Sequence, residues 1–254
     1  MAKEYLAGKD KEEWVDAKVY GPYANTQSLV YENAECFATK TLLKIVQLPF
    51  HYEERPNAEF MSNNGRVPIL RLNNDNHIIC GFHAISDFIT QRGLNLADPI
   101  PDNQIGDLEA YMALIDDVLR NVEVWMCWKE KTIYKNITAE RYGSTYHWPL
   151  NHFLPMIKKN EYNTYIKNIG WENKTLDEVI KMADSVFHSL SVKLGNNEYF
   201  FGNTPTQLDA YAFGHFYCIT TTILSNNSLM AAIKKYENLG KFCQTIEKNF
   251  HKNK

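Results

Sequence analysis

The chain has no CxxC pair, no clustered His and Cys set, no excess of basic residues and no apolar run long enough to cross a bilayer. Each absence removes a class of function. The five cysteines, Cys36, Cys80, Cys127, Cys218 and Cys243, are odd in number and far apart. In a chain of this size that pattern reads as reduced, buried thiols, not a disulfide framework. The closest His pair, His147 and His152, has no cysteine pair beside it, so no metal is expected. Lys and Arg number 27 against 30 Asp and Glu, a formal net charge of −3. Bulk charge therefore favours neither nucleic acid nor an anionic surface as a partner.

Targeting signals are missing too. Met1 to Asp16 carries Glu4, Asp10, Glu12, Glu13 and Asp16 but no Arg, unlike an Arg-rich mitochondrial presequence, and has no apolar core for a secretory signal. The longest uncharged run lies between Asp209 and Lys234. Its strongly apolar part ends near Leu224, short of the roughly 20 residues that span a bilayer, so a buried core helix is expected. The last residues offer no tail anchor. Internal repeats and low-complexity tracts are absent.

What is present is ordinary globular material. With 44% hydrophobic and 22% charged residues, a chain of 254 can bury a real core and fill one large domain or two. Gln27 to Tyr31 reads as a short strand. Ala34, Ala38, Leu42, Ile45 and Val46 then recur at about four-residue spacing, one face of a helix that Pro49 ends. Phe50 to Glu53, Val67 to Leu72 and His77 to Cys80 read as further strands. A second helix carries Phe82, Ile85, Phe88 and Ile89 on one face and stops at Gly93. The order is β-α-β-x-β-β-α.

Leu94 to Asn103, with two prolines, reads as a linker. Beyond it nearly everything is helical. Leu108 to Glu130 and Asn238 to Phe250 are two such segments, and Leu176, Val179, Ile180, Ala183, Phe187, Leu190 and Leu194 form one helical stripe. The division is an N-terminal extension over 1–25, an α/β unit over 26–94 and an all-helical unit over 103–254.

Three signals agree on a fold. Val67-Pro68 stands directly before a strand, where a proline cannot sit in mid-ladder; in a thioredoxin-like unit this is the cis-proline turn. Thr206-x-x-Asp209 follows Phe-Phe-Gly-Asn and precedes an apolar helix, a capping box with Asp in the usual Glu place. The third is the element order itself. Together they predict an α/β plus all-α protein resembling the glutathione transferases, with a thioredoxin-like first half and a helical second half. Val67, Pro68, Thr206 and Asp209 are its structural markers.

A transferase of that shape needs a Tyr, Ser or Cys at the start of the first helix, where the helix N-terminus stabilises a thiolate. Here that region reads Tyr31-Glu32-Asn33-Ala34-Glu35-Cys36. Glu32 and Glu35 place negative charge where a thiolate would form, and Cys36 falls at a position expected to be buried. The fold also needs an acidic residue followed by Ser to hold the γ-glutamyl end of the tripeptide. Gly81-Phe82 stands there and can make no such anchor. One lost charge-assisted hydrogen bond costs on the order of 1.5–3 kcal/mol. The expectation is no enzyme, no catalytic residue and no cofactor. The alternative is a glutathione-dependent transferase with an atypical site.

Longer motifs carry a closer resemblance. Pro49-Phe50, Asn57-Ala58-Glu59-Phe60-Met61-Ser62 and Gly65-Arg66-Val67-Pro68-Ile69 are the first group. Arg141-Tyr142-Gly143-Ser144-Thr145-Tyr146-His147-Trp148-Pro149-Leu150-Asn151-His152 is the second, and Gly170-Trp171, Tyr199-Phe200-Phe201 and Pro205-Thr206-Gln207-Leu208-Asp209-Ala210 complete the set. From about Trp14 to Phe250 the chain resembles the metaxins, nearest the metaxin-2 type. Thr145 and His147 depart from the family's prolines.

The resemblance implies a non-enzymatic adaptor held peripherally on the cytosolic face of the mitochondrial outer membrane. Its implied partners are a membrane-anchored metaxin and the sorting and assembly machinery that inserts β-barrel proteins. Adaptors that link mitochondria to microtubule motors are implied as well, with nucleic acid excluded. A further reading has the old ligand cleft gripping an extended β-signal at the backbone beside Val67.

Arg141, Tyr142, Tyr146 and Trp148 crowd one loop and are residue types that anchor interfaces, which makes them candidate partner contacts. The blander reading has these rings filling the cleft between the halves. Trp125 and Trp128 are expected in the core, as are His152, His188 and His215. Lys158-Lys159-Asn160-Glu161 is expected to be a solvated face.

Overall fold

Four short strands form a mixed sheet in the order β2-β1-β3-β4: β1 Lys18–Gly21, β2 His51–Glu54, β3 Ile69–Arg71 and β4 Ile78–Cys80. The computed structural model describes residues 14–72, 78–94 and 100–252. β1 pairs parallel with β2 and antiparallel with β3, and β3 pairs antiparallel with β4. A parallel pair needs a crossover, and helix α1 (Val30–Ile45) supplies it. Helix α2 (Phe82–Gln91) follows β4.

The first strand is not where the sequence placed it. Gln27 to Tyr31 is the entry to α1, and β1 lies at Lys18–Gly21, inside the stretch read as an extension. A short apolar run cannot be told from a buried helix start by periodicity alone. The deciding contact is local: the Leu29 N–H donates to Glu32 Oε2 at 2.8 Å, so the helix caps itself from its own first turn. Helix α1 also ends before Pro49, at Ile45, where Gln47 turns into the left-handed region at φ +55°. The start of the expected fourth strand, half of the linker and most of the acidic N-terminus lie outside the described residues.

The second half is helical. Helix α3 (Asp102–Leu114) runs through a π-type turn at Ile115–Leu119 into α4 (Arg120–Trp128). Then come α5 (Ala139–Gly143), α6 (Leu150–Asn168), α7 (Leu176–Leu194), α8 (Gln207–Thr221), α9 (Ser228–Ile233) and α10 (Glu237–Ile246). In α7 the buried side chains are Val179, Ala183, Val186, Phe187, Leu190 and Leu194, and Thr175 with Glu178 caps its start. At the start of α8 the Asp209 carboxylate is wholly buried. It accepts from the N–H groups of Phe200 (2.8 Å) and Thr206 (2.7 Å) and from the Thr206 hydroxyl (2.8 Å). Burial still pushes its carboxyl up to about 6, against the opposing pull of those donors.

Helix α8 is apolar on nearly every side because it is the central rod of the core, buried from Leu208 to Phe216. No helix among the described residues is long and apolar enough to cross a membrane. α8 crosses α1 closely enough that a Cβ on Gly214 would sit 2.3 Å from the Ala34 carbonyl oxygen and 2.7 Å from the Ala38 nitrogen. Three small residues, Gly214, Ala34 and Ala38, therefore bring the sheet half and the helical half into backbone contact.

Candidate functional site in the cleft between the halves

The cleft where a ligand would lie is bounded by the start of α1, the turn before β3 and the start of α2. The Val67-Pro68 peptide is cis, and the Pro68 carbonyl accepts from Gly81 N–H at 2.8 Å. Gly81 precedes α2 at φ +86°, a conformation that favours glycine, and Phe82 is completely buried behind it. The acidic-Ser pair that would hold a γ-glutamyl group has thus been replaced by a turn and a core ring.

The rest of the space holds the protein's own charges. Arg120 Nε, on α4, donates to Glu35 Oε1 of α1 at 2.6 Å, both side chains nearly or wholly buried. Arg66 lies against Gly81, where an added Cβ would meet its Cδ at 3.3 Å and Glu35 Oε2 at 3.6 Å. Arg66 and His83 both face Asp116 at 3.6 Å, and the Tyr211 hydroxyl donates to Asp116 at 3.0 Å. Partial burial opposes the charge on Asp116, but His83 and Arg66, helped by Arg120, hold its carboxyl well below the usual range. Deeper in, His215 Nδ1 meets Glu123 at 2.9 Å with both side chains out of solvent, and burial pushes the Glu123 carboxyl up.

These groups correct two expectations. Glu32 and Glu35 are not two free charges at the helix start. Glu35 is neutralised by Arg120, and burial pushes Glu32, while capping Leu29, up to about 8. The second correction concerns what the cleft contains: charged groups remain and face one another, although Glu35 Oε2 and His83 Nε2 are buried without a hydrogen-bond partner. Residues distant in sequence make this network, which is why single motifs did not reveal it.

No thiol chemistry is poised here. Cys36 is wholly buried and its thiol is pushed up to about 12 by burial. Tyr31, the phenol nearest the helix start, points into the helical half. It donates to the Tyr162 hydroxyl at 2.9 Å and accepts from Trp128 Nε1 at 3.1 Å. Burial, then Tyr162 and Glu32, raise its pKa well above the usual phenol range, the reverse of what an activating group needs. Val67, whose backbone would pair with an extended ligand, is only 4% exposed. Among the described residues no three His, Cys, Asp or Glu side chains are grouped to hold a metal ion.

The aromatic loop divides. Arg141 Nη1 donates to the Ser28 carbonyl at 2.8 Å, and Tyr142, 8% exposed, donates to Glu59 at 2.9 Å. Across the same seam the Thr145 hydroxyl donates to Asn57 Oδ1 at 2.9 Å, an atom that also accepts from Gln27 within the sheet half at 2.6 Å. Arg141 and Tyr142 therefore fasten the two halves: each bond uses a donor that would otherwise be available to a partner. Tyr146 is half-buried. Trp148 alone of the four stands in solvent, 79% exposed.

Trp125 and Trp128 meet expectation; His152, His188 and Lys158 do not. Trp125 and Trp128 are buried, Trp128 stacked on Tyr162 with ring centroids 4.7 Å apart. Of the three histidines only His215 is in the core; His152 and His188 are exposed. Lys158 is not on a solvated face but binds Glu59 at 2.9 Å and Glu161 at 3.2 Å.

With this geometry in hand, comparison with known proteins is informative. Residues 36–159 match the family described as "Outer mitochondrial membrane transport complex protein", and residues 183–246 match the glutathione S-transferase C-terminal domain. A metaxin-2 homolog of Caenorhabditis elegans is 39% identical over 87% of this chain and 95% of its own length. Metaxin-2 of Homo sapiens is 38% identical over 94% of this chain and 90% of its length. Among solved structures, a glutathione S-transferase of Ceriporiopsis subvermispora in complex with glutathione superposes with a TM-score of 0.61. It covers 92% of this chain and 97% of its own at 12% identity, which is a likeness of fold alone. A glutathione-transferase-like frame, a cleft occupied by its own ion pairs and relatives matched over most of their length converge on one assignment: the chain belongs to the metaxin family, with 38–39% identity to metaxin-2 proteins.

Proposed function

We propose that the protein is a non-catalytic adaptor subunit, held at the cytosolic face of the mitochondrial outer membrane, in protein import and in the sorting and assembly of β-barrel proteins. One observation carries the non-catalytic part. The charged side chains at the cleft are engaged by the chain's own groups, Glu35 by Arg120 and Asp116 by Arg66, His83 and Tyr211, and Gly81-Phe82 stands where a γ-glutamyl anchor would be needed. The match to an outer mitochondrial membrane transport complex family supports the location and the import role. A membrane-anchored metaxin is the proposed principal partner, with the sorting and assembly machinery and microtubule motor adaptors beyond it.

The rival, a glutathione-dependent transferase, has no observation in its favour beyond the fold. Gripping of a β-signal beside Val67 would first require the covered backbone there to open. Two measurements test the proposal. Immobilised glutathione should fail to retain the protein, and a thiol-conjugation assay should stay at background. Crosslinking mass spectrometry on intact mitochondria should link the chain to a membrane-anchored metaxin. Retention on glutathione with turnover would overturn the non-catalytic reading, and crosslinks confined to matrix or inner-membrane proteins would overturn the location.

A further inference from the structure

Helix α6 wears its amphipathic pattern inside out over its first two turns. Pro155 and Ile166 are buried, and Leu154 packs partly against the core. The opposite side carries Leu150, Phe153, Met156 and Ile157, each between 52% and 59% exposed, at the three- and four-residue spacing of one face. Trp148 stands just ahead of them. Farther along, the same outward face is polar: Asn160, Glu161, Thr164, Lys167 and Asn168. The apolar surface is thus a bounded patch, not a generally greasy helix. It is broadened on one side, because Glu59 binds Lys158 and so brings the exposed Phe60 beside α6. Contiguous exposed apolar surface of this kind marks a contact with a partner or a membrane.

Charge decides between them. On the other flank of the patch Lys159 lies over the Tyr134 ring at 3.5 Å, and it feels Lys129 and Lys131 closely enough for them to oppose its charge after burial does. Nearby carboxylates are engaged. Glu130 accepts from Ile133 N–H at 2.6 Å, and Glu59 and Glu161 are taken by Lys158. Glu140 shares a surface groove with Lys135. Exposed Lys131 and half-buried Lys129 and Lys159 thus flank four apolar side chains that protrude from a convex rod, with Trp148 just ahead of them. This is the composition of an interfacial membrane contact: apolar groups enter the acyl boundary and cations meet the headgroup phosphates. The net charge of −3 hides it, because the excess is local.

We infer that this face docks directly on an anionic lipid bilayer, inserting Trp148, Leu150, Phe153, Met156 and Ile157 and setting Lys129, Lys131 and Lys159 against lipid phosphates. The contact goes beyond the adaptor reading, which places the chain at the membrane through partners only. It also supplies a distinct role for the one residue of the aromatic loop that is free.

The test uses the full chain and vesicles of phosphatidylcholine, with or without an equal part of phosphatidylglycerol. The other four tryptophans, Trp14, Trp125, Trp128 and Trp171, are at most 9% exposed, so a change in emission reports on Trp148. Expected results are a blue shift with anionic vesicles, quenching by brominated acyl chains and co-sedimentation that weakens as salt rises. Phe153→Glu with Met156→Glu should cut the bound fraction about tenfold while the melting curve is kept, since both side chains already face water. Lys131→Glu should reduce the preference for anionic over neutral vesicles. No shift and no sedimentation with either vesicle overturns the inference, as does unchanged binding in the double variant. A Trp148 shift produced only by a soluble domain of the membrane-anchored metaxin, without lipid, would assign the face to a protein instead.

Discussion

Two regions of this molecule reverse the usual placement of charge and hydrocarbon, and they do so for opposite reasons. In the seam between the halves Glu35 and Arg120 lie in the interior, as do Glu123 and His215 just behind it in the helical half, where burial penalises charge. On the first two turns of α6, four apolar side chains lie in water, where burial elsewhere would have rewarded them. The seam carries its cost inside the monomer because each charge has a partner a few ångströms away. The α6 face has no such internal compensation. A buried charge that is paired is a structural feature, whereas an exposed apolar patch with nothing on it is unfinished until something covers it.

The difference can be broken most strongly at the ion pair. Arg120→Met leaves the Glu35 carboxylate buried without its partner and should cost about 3–5 kcal/mol of stability in denaturant unfolding, whereas adding Glu35→Met should recover most of it. A double variant as unstable as the single one would show that the pair is not the source. Next comes the close approach that makes the seam possible. Gly214→Ala puts a methyl into the backbone of Ala34 and Ala38 and should cost about 2–3 kcal/mol, visible as a lowered midpoint with an unchanged slope.

The interior charges also separate by pH. Burial pushes Glu32 up to about 8, above its value in the unfolded chain, so the folded state holds a proton that the unfolded state has released. The stability this confers is complete below the unfolded carboxyl range, near pH 4.3, and is lost as pH climbs through about 8. Glu32→Gln keeps an oxygen for Leu29 N–H, so it should leave stability near pH 5 almost unchanged and raise the melting temperature at pH 8.5. A variant whose advantage does not grow with pH would place the carboxyl elsewhere. The smallest effect belongs to α6. Ile157→Ser should shift stability by no more than about 0.5 kcal/mol, although it removes a large apolar side chain, because that side chain is already in solvent. A larger loss would mean that the face is packed within the monomer.

How much of this could be read without coordinates follows from how far apart the interacting groups lie in the chain. The capping of α8 spans three residues, Thr206 to Asp209, and the dipeptide Val67-Pro68 marks its own turn. Such local chemistry was legible. The lack of an anchor at Gly81-Phe82 was legible for the same reason. The first strand was misplaced because Gln27 to Tyr31 carries an apolar run that suits a strand and a helix entry equally, and only the Glu32 cap separates them. Arg141, Tyr142, Tyr146 and Trp148 divide in the structure because neighbours in sequence turn to opposite sides, Tyr142 to Glu59 and Trp148 to solvent.

From sequence alone came the two-part architecture, the family and the absence of an acidic-Ser pair at Gly81-Phe82, since periodicity, capping and missing side chains are all local or patterned properties. Only the tertiary structure decided that Arg120 would close on Glu35 across 85 positions, and that Arg66 and His83 would share Asp116. It alone also decided that the hydrophobic stripe of α6 would face outward. An amphipathic pattern says that one side of a helix differs from the other; which side meets the core depends on the surface the rest of the chain presents to it.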